Sequence, residues 1–178
     1  MRKLALGLAL ATLAGITSQP LLGEEGATIR KQIEANYEKV KEATLERSVE
    51  AINECRKGIE TDDSIFIDSK GDIYPYRPAG QEYAPVAKGI ISYEYTIKKF
   101  AVSGDQAEVW VDVKEERTET GRGSAHLTEV RQRRVTFVEH TKDTWIKTPA
   151  GWKRSMREEV APADHTVENA PPAVPATK

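Results

Sequence analysis

The stretch DTWIKTPAGWK, Asp143 to Lys153, decides how this chain folds. It carries two of the three tryptophans, Trp145 and Trp152, on either side of Thr148-Pro149-Ala150-Gly151. Proline presets one turn dihedral and glycine accepts the left-handed region, so a tight turn is expected between them. Residues 125–147 then read as one long strand and 152–160 as the last. Aromatics on adjacent antiparallel strands add roughly 0.2–1 kcal/mol to pairing and bury a large area. Core packing with register control is one role for the two rings; stacking on a ligand is the other.

Upstream the period is also two. From Ile90, Tyr93, Tyr95 and Ile97 share a face, and Val102-Ser103-Gly104-Asp105-Gln106 is a hairpin turn. Val109, Val111 and Val113 then alternate with Glu108, Trp110, Asp112 and Lys114. If the valines pack on helices, Trp110 and Asp112 lie on the outer face, where an exposed aromatic marks a candidate homodimer contact. The reverse orientation satisfies the same alternation. Glu119-Thr120-Gly121-Arg122-Gly123 reads as a polar loop.

The N-terminal half changes to a helical period. Ile29, Ile33, Tyr37, Val40 and Thr44 form one stripe. Glu24 and Glu25 suit the positive end of a helix dipole, and Thr28 fits an N-cap. The stripe then shifts phase to Leu45, Val49, Ile52 and Ile59, which predicts two helices, 28–44 and 47–57, with Gly58 as the stop. Ser64 to Asp68 is a short strand, Ser69-Lys70-Gly71-Asp72 a turn, and Ile73-Tyr74-Pro75-Tyr76 an edge segment, since Pro75 donates no ladder bond. Residues 79–89 fit either a short helix or a loop.

Met1-Arg2-Lys3 precedes a largely apolar run, Leu4 to Ile16. The run is shorter than the about 20 residues a membrane span needs and fits an export signal. Cleavage after Gly23 is expected, giving a leader 1–23, one domain 24–160 and a disordered Pro/Ala-rich tail 161–178. Ile16 stands where a lipobox would need cysteine, so no lipid anchor is expected. The net charge of −2 becomes −4 once Arg2 and Lys3 leave with the leader. That mixed balance gives no support for nucleic-acid binding, which needs a dominant basic face. Cys55 is the single cysteine, so no internal disulfide forms. A small buried helix residue is one reading of it; an intermolecular bridge or a reactive thiol is the other.

His126, His140 and His165 stand apart, with no second ligand at metal spacing. A nucleophile elbow, a P-loop and a dinucleotide fingerprint are missing. Neither a metal nor a cofactor is expected. Arg131-Gln132-Arg133-Arg134 alternates across a strand and reads as a solvated strand beside Glu115-Glu116.

SGDQAEVWVDV (Ser103–Val113), the Trp-turn-Trp hairpin and the helix-helix-SIFID order resemble the nuclear-transport-factor-2-like superfamily, within it the SnoaL-like group and its domains of unknown function, over about residues 28–160. The resemblance implies an α+β cone, with N-terminal helices packed in a strongly curved, mostly antiparallel sheet around a cavity. Its isomerase-like members use a tyrosine in the first helix and a carboxylate just after the first strand, places that Tyr37 and Asp68 match. There an aspartate would act as general base and a phenol as donor to an enolate oxygen. The third group, a protonated acid on a late strand, is missing, since the matching region Arg131 to Val135 is basic and apolar. Bland readings also stand: Tyr37 as core, Asp68 as a turn residue. The pocket candidates are Tyr37, Asp68, Tyr93 and Trp145. The expected function is an exported, periplasmic or secreted domain that binds a small apolar or carbonyl compound or a protein partner without catalysis. The alternative is an isomerase or lyase with Asp68 as base and Tyr37 as donor.

Overall fold

A computed structural model describes residues 23–122 and 130–169. Residues 1–22, within the segment expected to be a leader, 123–129, with Gly123 and His126, and 170–178 lie outside the described residues. Helix α1 spans Glu24–Leu45 and buries Ile29, Ile33, Tyr37, Val40, Ala43 and Thr44, the face that the helical spacing marks. Burying each large apolar side chain of that face contributes roughly 1.5–3 kcal/mol. Glu24 and Glu25 fill the first turn as the dipole favours. The cap is Gly23, not Thr28, whose hydroxyl donates to the Glu24 carbonyl one turn inside the helix.

The phase shift after Thr44 is a break in the chain direction. Arg47 takes a φ of 59°, a left-handed conformation that costs a non-glycine residue about 1–2 kcal/mol. Ser48 then caps α2, Val49–Ile59, accepting a hydrogen bond from the Ala51 amide. Gly58 lies inside α2 and does not end it; the chain passes straight from Ile59 into β1, Glu60–Ile67. A short β2, Ile73–Pro75, pairs antiparallel with β1 at the sheet edge. After a 3-10 turn at Gln81–Tyr83 comes the short α3, Ala84–Gly89.

Four long strands complete the sheet: β3, Ile90–Ser103; β4, Gln106–Arg122; β5, Val130–Thr148; and β6, Gly151–Asn169. The order is β2-β1-β6-β5-β4-β3, antiparallel except for the β1–β6 pair. Gly104 and Gly151 hold the two hairpin turns with positive φ, where a side chain would be strained. Two boundaries differ from expectation. The polar loop expected at 119–123 is strand as far as Arg122. The tail expected to be disordered from 161 is instead the continuation of β6 to Asn169, because β5 offers it a partner: Val135↔Val167 and Phe137↔His165 stay in register.

Helix α1 lies on the concave face of the sheet. Its Ile29, Ile33 and Tyr37 share one core with Val109, Val111, Val113, Trp145 and Trp152. The valines therefore face inward, and Trp110 and Asp112 face outward. Trp145 pairs with Arg154 and Trp152 with Lys147, so the tryptophans pack diagonally across the hairpin, not face to face.

Candidate functional site

Beneath the core, charge is buried. On β5 the inward parity runs Thr141, Asp143, Trp145, and all three are enclosed. A bare buried carboxylate would lose its proton only at a cost of several kcal/mol, so Asp143 needs partners. It has three. Arg157 donates from Nε to Oδ1 and from Nη2 to Oδ2, both at 2.8 Å. Arg154 donates to Oδ2 from Nη1 at 2.9 Å. The Tyr37 hydroxyl donates to the same oxygen at 2.8 Å. Burial alone would raise the Asp143 pKa; the charges of Arg157 and Arg154, with the hydrogen bonds from Arg157 and Tyr37, outweigh it and hold the carboxyl well below the usual range.

Arg154 also grips Glu60 through Nε and Nη2. The parallel β1–β6 register places Glu60 opposite Arg154. The four side chains, Glu60, Arg154, Asp143 and Arg157, thus form one neutral chain of charges. Burial pushes the Tyr37 phenol well above its ordinary value, and the Asp143 charge adds to this. Trp145 closes the ring of contacts: its indole N–H points at the Tyr37 oxygen at 3.4 Å, and the two rings meet edge to face at 5.5 Å.

Two adjoining cavities open beside this cluster. The first, about 350 Å³, lies between the sheet and α2, with Ile52, Tyr83, Tyr93, Val113 and Phe137 among its walls. The second, about 310 Å³, is bounded by β1 and the β2 segment, including Ser64, Phe66, Tyr74 and Tyr76. Arg56, Glu139 and Arg157 line both. The first cavity also holds a charge pair of its own, Arg117 with Glu115 at 2.9 Å. Such an arrangement can enclose a small molecule with an apolar body and a polar end.

Of the four pocket candidates, Tyr93 lines the first cavity. Tyr37 and Trp145 are packed in the core behind it and line neither cavity. Asp68 is not brought near Tyr37. It sits in the turn after β1, where its carboxylate accepts from the Lys70 and Asp72 amides and from the Tyr74 hydroxyl, and these bonds, that of Asp72 first, lower its pKa despite slight burial. On the outer face, Lys99 covers the Trp110 ring at 4.3 Å, while Asp112 bonds His140 at 2.8 Å and Lys98 at 3.0 Å. Cys55 is half-buried on α2, and burial raises its thiol pKa. Among the described residues no group of three His, Cys, Asp or Glu side chains is placed to hold a metal.

Arg56, Glu139, Asp143, Arg154 and Arg157 were not singled out from sequence. One signal was present: Asp143 shares a period-two face with Trp145, and Arg154 shares one with Trp152, so placing the tryptophans inside also places an acid and a base there.

No family model matches the chain, and no curated protein matches it in sequence. Solved structures do match in shape. A protein of unknown function from Mycobacterium tuberculosis is 20% identical with a TM-score of 0.54, over 81% of this chain and 78% of that one. A type 2 hexachlorocyclohexane dehydrochlorinase (LinA) is 15% identical with a TM-score of 0.50, over 83% of this chain and 97% of that one. An NTF2-like protein from Cytophaga hutchinsonii is 16% identical with a TM-score of 0.47, over 74% and 97%. With its helices laid on a curved, six-stranded, mostly antiparallel sheet, the chain has an α+β cone fold, shared with the Mycobacterium tuberculosis protein and the dehydrochlorinase.

Proposed function

We propose that the chain is an exported domain that binds a small molecule in the cone and does not transform it. The observation that carries this is the state of the inner carboxylate. Asp143 is saturated by two guanidinium groups and a phenol, so it is a weak base with no spare proton to give. Tyr37, the donor of the alternative isomerase reading, spends its proton on Asp143. Asp68, the base of that reading, is tied to its own turn and lines neither cavity. What is left is space walled by aromatic and charged side chains, which suits binding. The leader from Met1 to Gly23 supports the exported location.

Native mass spectrometry of the protein purified from the exported fraction tests the proposal. A small-molecule adduct retained on the wild type and lost on Tyr93→Trp, which fills the first cavity, is expected. Recovery of the chain only in the cytoplasm overturns the location. Conversion of a retained molecule to a product by the purified domain overturns the non-catalytic part.

A further inference from the structure

The second cavity carries an unexplained set of donors. Among the described residues six enclosed side-chain polar atoms lack any hydrogen-bond partner. Three of them, Arg56 Nε, Ser64 Oγ and the Tyr76 hydroxyl, belong to residues lining this one cavity. Folded proteins satisfy roughly 90% or more of their buried polar groups, and each one left bare costs about 1–3 kcal/mol. The three bare donors sit on residues that line one space, so an acceptor entering it would meet groups that the chain leaves without partners.

The surroundings fix its charge. Ser64 is only 3% exposed, and the Tyr76 amide donates to the Ser64 carbonyl at 2.8 Å, so backbone pairing holds the two hydroxyl-bearing residues side by side. Arg56 reaches in from α2, its guanidinium 5.8 Å from the centre of the Tyr76 ring. Of the other three arginines lining the cavity, Arg77 is exposed, Arg154 is neutralised by Glu60 and Asp143, and Arg157 by Asp143. Arg56 makes no ion pair among the described residues. A guanidinium beside two hydroxyls is a donor set for a planar anion, since its N–H groups fork onto two oxygens.

We propose that Arg56, Ser64 and Tyr76 bind the carboxylate of a small monocarboxylic acid whose apolar body extends past Arg56 into the first cavity. That cavity shares Arg56, Glu139 and Arg157 with the second and presents Ile52, Tyr83, Tyr93 and Phe137 to the body. Glu139 lies on the wall common to both cavities, where it repels a second carboxylate and selects for acids with one. The inference rests on the reading of the chain as a binding domain and names the polar end of its ligand.

Calorimetric titration of the full chain with benzoate, hexanoate, benzamide and hexanamide tests it. The acids are expected to bind at least about ten-fold tighter than their amides, the worth of one charge-assisted hydrogen bond. Arg56→Gln should erase that preference. Tyr76→Phe and Ser64→Ala should each weaken the acids and leave the amides unchanged. The same two variants should unfold at the same urea concentration as the wild type or a higher one, because they delete atoms that lack partners. Equal affinity for acids and amides overturns the carboxylate assignment but leaves the binding reading standing. Acid binding indifferent to all three substitutions overturns the site. Absence of heat from all four probes, with no adduct in the native mass spectrum, overturns both.

Discussion

The Tyr37 hydroxyl on α1 donates a 2.8 Å hydrogen bond to Asp143 Oδ2 on β5, joining the helix to the middle of the sheet across 106 residues of chain. Both groups are enclosed. The bond locks the helix face in register with the curved sheet, and it occupies the Tyr37 proton.

Removal of the carboxylate should be costly. Asp143→Ala leaves Arg154 with Glu60 alone and Arg157 with no ion-pair partner among the described residues, and breaking a buried ion pair from one side costs about 3–5 kcal/mol. Tyr37→Phe deletes one hydrogen bond to a charged group, about 1.5–3 kcal/mol. Urea midpoints should fall in that order. The double variant should lose less than the sum, because the two share one interaction.

Acid should erode the Asp143 contribution. Its folded pKa lies below the ordinary value, so its stabilisation is fully present above about 3.9, the unfolded carboxyl value, and is lost as pH falls from there towards the folded pKa. The stability gap between wild type and Asp143→Asn is expected to be constant near neutrality and to narrow below about pH 4. Urea titrations at a series of pH values read this directly; a gap that widened in acid would show that Asp143 is protonated in the native protein.

His140 should work in the opposite sense. Its ring nitrogens face Asp112 at 2.8 Å and Asp164 at 3.4 Å, and the Asp112 bond, chiefly, raises its pKa against a small burial effect. The stabilisation is fully present below about 6.5, the unfolded histidine value, and is lost as pH rises through the folded pKa. Asp164 belongs to the far part of β6, so amide protection at 161–169, corrected for intrinsic exchange, should fall as pH rises through the His140 titration. His140→Gln should abolish that change. Nuclear magnetic resonance of the ring should place its titration above the ordinary histidine value, and Asp112→Asn should lower it more than Asp164→Asn.

Gly89 marks where the short α3 meets the sheet. A Cβ there would stand 2.3 Å from the Thr118 carbonyl oxygen, which is backbone and cannot step aside cheaply. Gly89→Ala should therefore push α3 off β4 at a cost of about 1–3 kcal/mol. Tyr83, just before α3, lines the first cavity, so the same variant should weaken any ligand held there. A urea midpoint equal to that of the wild type would show that the contact relaxes freely.

Periodicity carried most of the fold. The α1 stripe, the alternating valines of β4 and the turn glycines Gly104 and Gly151 are local patterns, and local patterns survive in one dimension; that the valines face inward came from the packing on α1. The ends of the strands did not follow from it. Residues 161–169 hold no strong apolar signal, and they are strand because β5 extends far enough to pair with them. The phase break after Thr44 was visible, but the agent of it, the left-handed Arg47, was not.

The sequence by itself determined the faces: which residues of α1 form the buried stripe, which residues of β4 share a side, where the chain turns, and that Trp145 and Trp152 flank a hairpin. These follow from spacing alone, because side-chain direction repeats with the backbone. Only the tertiary structure decided the chemistry. Glu60, Asp143, Arg154 and Arg157 come from three strands, β1, β5 and β6, and meet through the parallel β1–β6 register and the antiparallel β5–β6 pairing. Arg56, Ser64 and Tyr76 come from α2, β1 and the segment after β2. Buried charges must find partners wherever the fold brings them, and that distance through space has no counterpart in distance along the chain.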